Sequence, residues 1–244
     1  MKNKIRLPGE IAWFIAILLL SFSVAMIASA GFGVSMIVAP AYILSLKFSF
    51  LSFGLSEYIL QALLFIVFCF LMKGFRLVYL SSFLTCIIYG AVLDLWRTLI
   101  PLFNPLLTDP SSIPMALRIF LFITGLVLTG FSVALFFRTY LSPQVYDFFV
   151  KSVSSFYNID RTKFKRIYDA SSFLVALVMS LLFFHGIKGI GWGTIVMTLL
   201  NSFVIGFFDS LFGKIFDFKP LFPSFASFFE TKTDEKSLEK TQQC

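Results

Sequence analysis

The chain has 244 residues, of which 58% are hydrophobic and only 14% are charged, and its mean hydropathy is +0.90. A water-soluble domain of this length could not bury so much apolar surface, so the composition indicates an all-α polytopic membrane protein. The net charge of +7 does not indicate nucleic-acid binding, because the basic residues lie between apolar stretches, where they act as topology signals.

Six apolar stretches are long enough to cross a bilayer of roughly 30 Å, which takes about 20 helical residues. The first follows "MKNKIR" and ends in "ASAG", as a cleaved secretory signal does, but its apolar run exceeds the usual length of about 7–15 residues. This length favours a retained helix. We place the six spans near residues 11–30, 55–72, 77–100, 115–137, 167–186 and 192–213.

Two shorter segments lie between these spans. Residues 31–47 are apolar and interrupted by Pro40, which is typical of a half-helix or re-entrant segment. Residues 140–158 carry apolar side chains at helical spacing, which fits an interfacial helix and a re-entrant one equally well. Residues 217–244 are expected to rest at the interface and then to form a polar, disordered tail.

Most of the 20 Lys and Arg residues fall on one side of the membrane if all six stretches cross. Cytoplasmic segments of membrane proteins are enriched in these residues, so we expect residues 1–10 and the C-terminus to be cytoplasmic. The cysteines, Cys69, Cys86 and Cys244, have neither disulfide nor metal-site spacing. We therefore expect no metal and no cofactor.

A short sequence recurs in the chain: "FSVAM" at 22–26 returns as "FSVAL" at 131–135, which is 131 − 22 = 109 residues later. One such match has little weight in so biased a composition, but further matches follow in the same order. They are a proline in the next short segment (Pro40, Pro143), a Lys-Gly turn (72–75, 187–190) and an acid late in the third span (Asp94, Asp209).

These matches divide the membrane part into two three-helix repeats, residues 11–107 and 108–216. An odd number of crossings turns the second copy over, so the expected architecture is a 3+3 inverted-topology repeat. This architecture recurs in secondary transporters, whose two halves open a central site to each side in turn. It predicts Phe22–Met26 near the outer surface and Phe131–Leu135 near the inner one.

Charged and amide groups in hydrocarbon are costly and are therefore candidates for function. We interpret one set as part of an outer gate and a second set as part of an inner gate, while end-of-helix charges with structural pairs remain the alternative. Asn201, the most central amide of the sixth span, contacts either a solute or a neighbouring helix. The outer set is Glu57 with Gln61, Asp94 and Arg97, and the inner set is Arg166, Asp169 and Asp209.

The segment "GIKGIGWGT" (186–194) enters the sixth span and contains Gly189, Gly191, Gly193 and Thr194. It is not a dinucleotide-binding fingerprint, because no strand precedes it. Glycines at alternate positions permit a tight turn or a close approach of helices. A backbone that faces a substrate is the alternative.

Three segments together resemble the bacterial YczE/YyaS/YitT-type integral membrane proteins over roughly residues 11–215. The most specific parts are the Tyr168-Asp169 pair and the Gly189-x-Gly191-x-Gly193-Thr194 series. The resemblance implies a multi-pass protein of the bacterial plasma (inner) membrane with about six spans, and it implies no substrate. The segments are "SAGFGVSMIVAPAYILS", "KFKRIYDASSFLVALVMSLLFF" and "GIGWGTIVMTLLNSFVIGFFDSLFG".

The sequence therefore favours a transporter-like protein that moves a small solute or ion by alternating access. The alternative is a non-transporting membrane partner, such as an assembly, sensory or regulatory subunit, or the substrate-capture subunit of an energy-coupled importer. We expect no enzyme, because the sequence contains no Ser-His-Asp, His-Glu or Cys-His constellation. The expected partners are the lipid bilayer and a small-molecule or ion substrate, and not nucleic acid.

Overall fold

A computed structural model describes residues 5–75 and 79–223, in which helices predominate. The expectations for residues 1–4 and for the tail beyond residue 223 lie outside this part of the chain. The helices are α1 (Gly9–Ala30), α2 (Ala39–Lys47), α3 (Phe53–Leu71), α4 (Leu80–Leu99), α5 (Met115–Arg138), α6 (Val145–Phe156), α7 (Arg161–Phe184) and α8 (Trp192–Ile215), and two short strands are β1 (Ile5–Pro8) and β2 (Phe216–Lys219).

The six predicted spans are confirmed as α1, α3, α4, α5, α7 and α8, each long and apolar enough to cross a membrane. Large apolar side chains, such as Phe70, Leu182 and Phe203, project outward from them and are mostly exposed. Such a surface is unfavourable in water and suits lipid. The chain is therefore an all-α, multi-pass membrane protein.

Local signals explain where the shorter elements begin. Pro40 lies in the first turn of α2, where a missing N–H costs nothing, so it starts this helix and does not interrupt it. The hydroxyl of Ser52 accepts the N–H of Leu55 and caps α3. The carboxylate of Asp160 accepts the N–H of Lys163 and caps α7 in the same way.

The two strands were not predicted. They join the segment before α1 to the segment after α8. β1 and β2 pair in parallel, with Ile5 opposite Phe216 and Pro8 opposite Lys219. We call the side of the bundle that carries them the terminal face, and the opposite side, which carries residues 100–114, the distal face. The six spans connect these two faces alternately.

At the terminal face, Tyr140 fastens the start of α1 to the second half of the chain. Its hydroxyl donates to Glu10 Oε1 at 2.6 Å, and the same carboxylate accepts the N–H groups of Leu221 and Phe222. Burial, together with the hydrogen bond to Glu10, raises the pKa of Tyr140 above its ordinary value. The hydroxyl therefore remains a neutral donor.

The core of the bundle is the pair α1 and α5, which pack most extensively of all. Arg118 at the start of α5 donates to the carbonyl of Ala30 at the end of α1, and further along Ser23 lies 2.9 Å from Thr129. The residue order reverses between these contacts, so the two helices run antiparallel. A methyl group on Gly125 would come within 2.6 Å of Ile27, which explains the glycine at this crossing.

The short helix α6 lies inside the bundle and not on its surface. Its first N–H, of Val145, donates to Oε1 of Gln61 in the middle of α3, and just beyond its end Tyr157 donates to the carbonyl of Leu71. Its N-terminus therefore stands at mid-depth, and the helix returns to the terminal face. Of the two interpretations left open for residues 140–158, this geometry is the re-entrant one.

The order long, short, long, long occurs twice along the chain. The close helix pairs also recur: α1 with α4 and α5 with α8, α2 with α3 and α6 with α7, and α2 with α7 and α3 with α6. Two correspondences fail. The larger is that α3 packs along α4, whereas α7 and α8 barely touch, and the smaller is that α4 contacts α6, whereas α8 and α2 barely touch.

Candidate functional site

A cavity of about 540 Å³ lies at the centre of the bundle, where α7 and α8 stand apart. Its floor is the loop before α2, residues 34–38, and its walls come from both halves of the chain. The cavity reaches the terminal face between the first turns of α7 and the last turns of α8, which supply Arg161 and Asp209 to its lining. A space of this volume accommodates a small organic molecule.

Ion pairs lie around the mouth of this cavity. Lys165 Nζ lies 3.6 Å from Asp147 and 3.9 Å from Asp169. Arg138 binds Asp209 with two nitrogens, at 2.5 and 2.9 Å. These opposite charges bring α5, α6, α7 and α8 together around the opening, and they are partly exposed.

The cavity wall also holds buried polar atoms that lack a hydrogen-bond partner among the described residues. They are Nε2 of Gln144, Oδ1 of Asp169 and Oδ1 of Asn201. An unpaired buried polar atom typically costs about 1–3 kcal/mol, so proteins retain few of them outside functional sites. The three atoms offer one donor and two acceptors to a molecule in the cavity.

Glu57 and Gln61, four residues apart on α3, are hydrogen-bonded to each other. Gln61 Nε2 donates to Glu57 Oε2 at 3.0 Å, and Tyr146 of α6 donates to the same oxygen at 2.9 Å. Both side chains are fully buried. The pair faces α6 and lies behind the cavity wall that Gln144 and Tyr146 form.

Asp94 and Arg97, placed with Glu57 in an outer gate, have separate partners near the distal face. Asp94 accepts the hydroxyl of Ser52 at 2.5 Å and the N–H of Gly54 at 2.8 Å, which ties α4 to the start of α3. Arg97 donates to the carbonyl of Phe103 and to Asn104. The structure thus brings Asp94 to the α3–α4 closure and turns Arg97 toward the distal loop.

Of the three residues placed in an inner gate, Asp169 and Asp209 line the cavity. Arg166 is exposed, and Asp169 pairs with Lys165 instead. The residues that sequence reasoning missed are Arg161 and Lys165. A signal for them was present, because Arg161, Lys165 and Asp169 recur every four residues and therefore share one face of α7.

The glycine series meets the backbone of the first half. The N–H of Gly193 donates to the carbonyl of Phe32 at 2.9 Å, and the N–H of Val34 donates to the carbonyl of Gly189. A methyl group on Gly191 would come within 2.5 Å of the Phe32 carbonyl. The glycines therefore serve a close approach of backbones. Thr194 is fully buried, and its hydroxyl accepts the N–H of Gly191.

Comparisons with known proteins give one match. No curated protein and no solved structure matches this chain. Residues 8–210, which span all six membrane helices except the last residues of α8, match the family described as "Family of unknown function (DUF6198)". The resemblance to YczE/YyaS/YitT-type proteins is not part of this match and stays a prediction. The chain belongs to the DUF6198 family.

Proposed function

We propose that this protein is a transporter that moves a small solute or ion by alternating access, and that the structure represents a state open to one side. The observation that carries the proposal is the larger of the two failed correspondences between the halves. α3 and α4 close the distal side, while α7 and α8, which occupy the same positions in the second half, stand apart around the cavity. Exchange of these two arrangements would open the cavity to the other side.

An inverted repeat is the premise of this mechanism, and three features support it. Equivalent helices α1 and α5 run antiparallel. Phe22 packs edge-on against Trp96 of its own half at 5.1 Å, and Phe131, its match in the recurring pentapeptide, packs edge-on against Phe212 at 4.9 Å. Tyr157 donates to Leu71 after α6, as Lys47 donates to Phe183 at the end of α2.

The proposed orientation puts the terminal face in the cytoplasm of a bacterial plasma membrane. The basic residues around the cavity mouth, Arg138, Arg161, Lys163 and Lys165, lie at this face. Cytoplasmic segments are enriched in such residues. The state described would then be inward-open. We propose no reaction for this site.

Accessibility of the cavity from both faces tests the proposal. Ser202, an exposed residue of the cavity wall, is replaced by cysteine in a variant whose native cysteines are alanine. A membrane-impermeant maleimide is then applied to right-side-out and inside-out vesicles. Alternating access predicts labelling from both faces, faster from the terminal face.

Two single-cysteine controls calibrate this measurement. Leu106→Cys, in the distal loop, reacts only from the distal face, and Lys163→Cys, at the start of α7, reacts only from the terminal face. If Ser202→Cys reacts from the terminal face alone while both controls behave as expected, the cavity does not alternate and the proposal fails.

A further inference from the structure

Glu57 is a carboxyl group enclosed between α3, α4 and α6 at the depth where α6 begins. Its side chain has no exposed surface. Towards the distal face, the bonds of Asp94 to Ser52 and Gly54 hold the start of α3 against α4 and cover it. Towards the cavity, Tyr146 and Gln144 lie between it and the open space.

The hydrogen bonds of this carboxyl are one-sided. Both described donors, Gln61 Nε2 and the Tyr146 hydroxyl, address Oε2, and Oε1 has no hydrogen-bond partner among the described residues. No described lysine or arginine forms an ion pair with Glu57. A carboxylate buried without a counter-ion is strongly unfavourable, so the neutral acid with its proton on Oε1 suits this environment.

The titratable groups that interact with Glu57 are weak acids: Cys86 and Tyr89 on α4, Tyr146 on α6 and Tyr168 on α7. One turn away, at the start of α3, Tyr42 of α2 and Arg97 of α4 pack on Phe53, and Asp94 binds Gly54. Arg97 is the cation at this end of α3, and it donates to Phe103 and Asn104 instead of to Glu57. Neutral thiol and phenol groups supply no positive charge. A metal cation would also be poorly held, because the two groups that reach the carboxylate do so with hydrogens and not with oxygen lone pairs.

The charged form is nevertheless reachable. The 12-residue helix α6 begins beside Glu57 and Gln61, since the N–H of Val145 donates to Gln61. The positive end of a helix dipole partly offsets a nearby negative charge. A carboxyl that is neutral when enclosed and tolerable as an anion when water reaches it can load and release a proton within one cycle.

We propose that Glu57 is the proton-binding site that couples this transporter to the proton gradient, an inference that rests on the proposed alternating access. When α3 separates from α4, water from the distal face reaches Oε1, and a hydronium ion in that water gives its proton to the carboxylate and becomes a water molecule. Closure of the distal side encloses the neutral acid and favours the cavity that opens at the terminal face. The proton then leaves to the water of that cavity, past Tyr146 and Gln144, and the carboxylate that remains favours the return to the distal-open arrangement. Acid conditions therefore shift the protein toward the state described, and alkaline conditions shift it away.

Infrared difference spectroscopy of the purified full-length protein tests the proton site without any transport. Exposed carboxyl groups lose their protons near pH 4, so at neutral pH a carbonyl stretching band of a protonated carboxyl marks an unusual group. We expect this band in the wild type and its loss in Glu57→Gln, which keeps the size of the side chain. Asp109→Asn, in the exposed distal loop, should leave the band unchanged. An absent band in the wild type, a band that survives Glu57→Gln, or one that sodium ions abolish would overturn the site.

Coupling is tested separately by the labelling of Ser202→Cys across pH. We expect alkaline pH to raise labelling from the distal face, and Glu57→Gln to hold labelling at the acid pattern at every pH. If Ser202→Cys is labelled from both faces but the rates do not change with pH, proton coupling is wrong and alternating access is still supported. If the infrared band is present but labelling never occurs from the distal face, the proton site stands and the transport function fails.

Discussion

Two aspartates at matching positions, Asp94 and Asp209, have different partners in this structure. Asp94 accepts the hydroxyl of Ser52 and the N–H of Gly54 and holds α3 against α4. Asp209 instead binds Arg138, because the start of α7 lies away from α8. We expect Asp209 to bind the start of α7 when the terminal side closes.

Asp94→Ala tests the role of the first aspartate. It removes the two carboxylate oxygens that accept hydrogen bonds from Ser52 and Gly54 at the start of α3. Loss of a comparable helix cap lowers the free energy of unfolding by about 0.5–2 kcal/mol. We expect a lower midpoint of thermal unfolding and faster labelling of Ser202→Cys from the distal face. Asp109→Ala is the matched control, since Asp109 also caps a short turn through Ser111 but lies in the exposed distal loop. If the two variants have the same unfolding midpoint and the same rate of labelling from the distal face, Asp94 does not hold α3 against α4.

The contacts in this site that leave a signal in the sequence are those within one helix. Glu57 and Gln61 lie four residues apart on α3, and they are hydrogen-bonded. Arg166 was placed in the inner gate with Asp169, but Lys165, four residues before Asp169, is the residue that pairs with it. The contact of Gln61 with Val145 spans 84 residues and has no local signal.

The closed contact between α3 and α4 depends on two glycines. A methyl group on Gly54 would lie 2.1 Å from the carbonyl oxygen of Gly90, and one on Gly90 would lie 2.4 Å from the ring of Tyr58. Small residues allow helices in membranes to approach closely. The helices therefore have to separate if either position gains a side chain.

Gly54→Ala should pry the distal ends of α3 and α4 apart. Overpacking of this kind costs about 1–3 kcal/mol, and here we expect part of it to be relieved by opening. The expected result is a lower unfolding midpoint together with faster labelling of Ser202→Cys from the distal face. Gly186→Ala is the control, because its methyl group would meet only the carbonyl of Phe184, at an ordinary 3.8 Å. If Gly54→Ala lowers the unfolding midpoint but does not speed labelling from the distal face, the contact between α3 and α4 does not control access to the cavity.

At the level of elements, hydropathy predicted all six spans because each is a continuous apolar run. It could not predict the depth of α6, since a half-length helix has the same composition at the interface and inside a bundle. The parallel pairing of β1 with β2 was also missed, because two four-residue strands more than 200 residues apart carry no periodic signal. The pairing nevertheless agrees with an even number of crossings.

At the scale of the whole molecule, the two halves share their order of elements and most of their contacts but differ most in one helix pair, because α3 packs along α4 whereas α7 and α8 stand apart. The difference is concentrated where alternating access requires it, with one closed pair near the distal face and one open pair near the terminal face. A fixed crevice would need no such correspondence between the halves. We propose that the two pairs exchange their arrangements.

Pulsed electron–electron double resonance measures distances between spin labels and therefore tests this exchange directly. One doubly spin-labelled variant carries labels at Lys163 on α7 and Ser210 on α8, and a second carries them at Phe50 before α3 and Leu99 on α4, all of them exposed positions. The account predicts two populations for each pair, with the α7–α8 distance long where the α3–α4 distance is short, and a shift toward that combination at acid pH. A single population in both variants, unchanged between acid and alkaline pH, would contradict it.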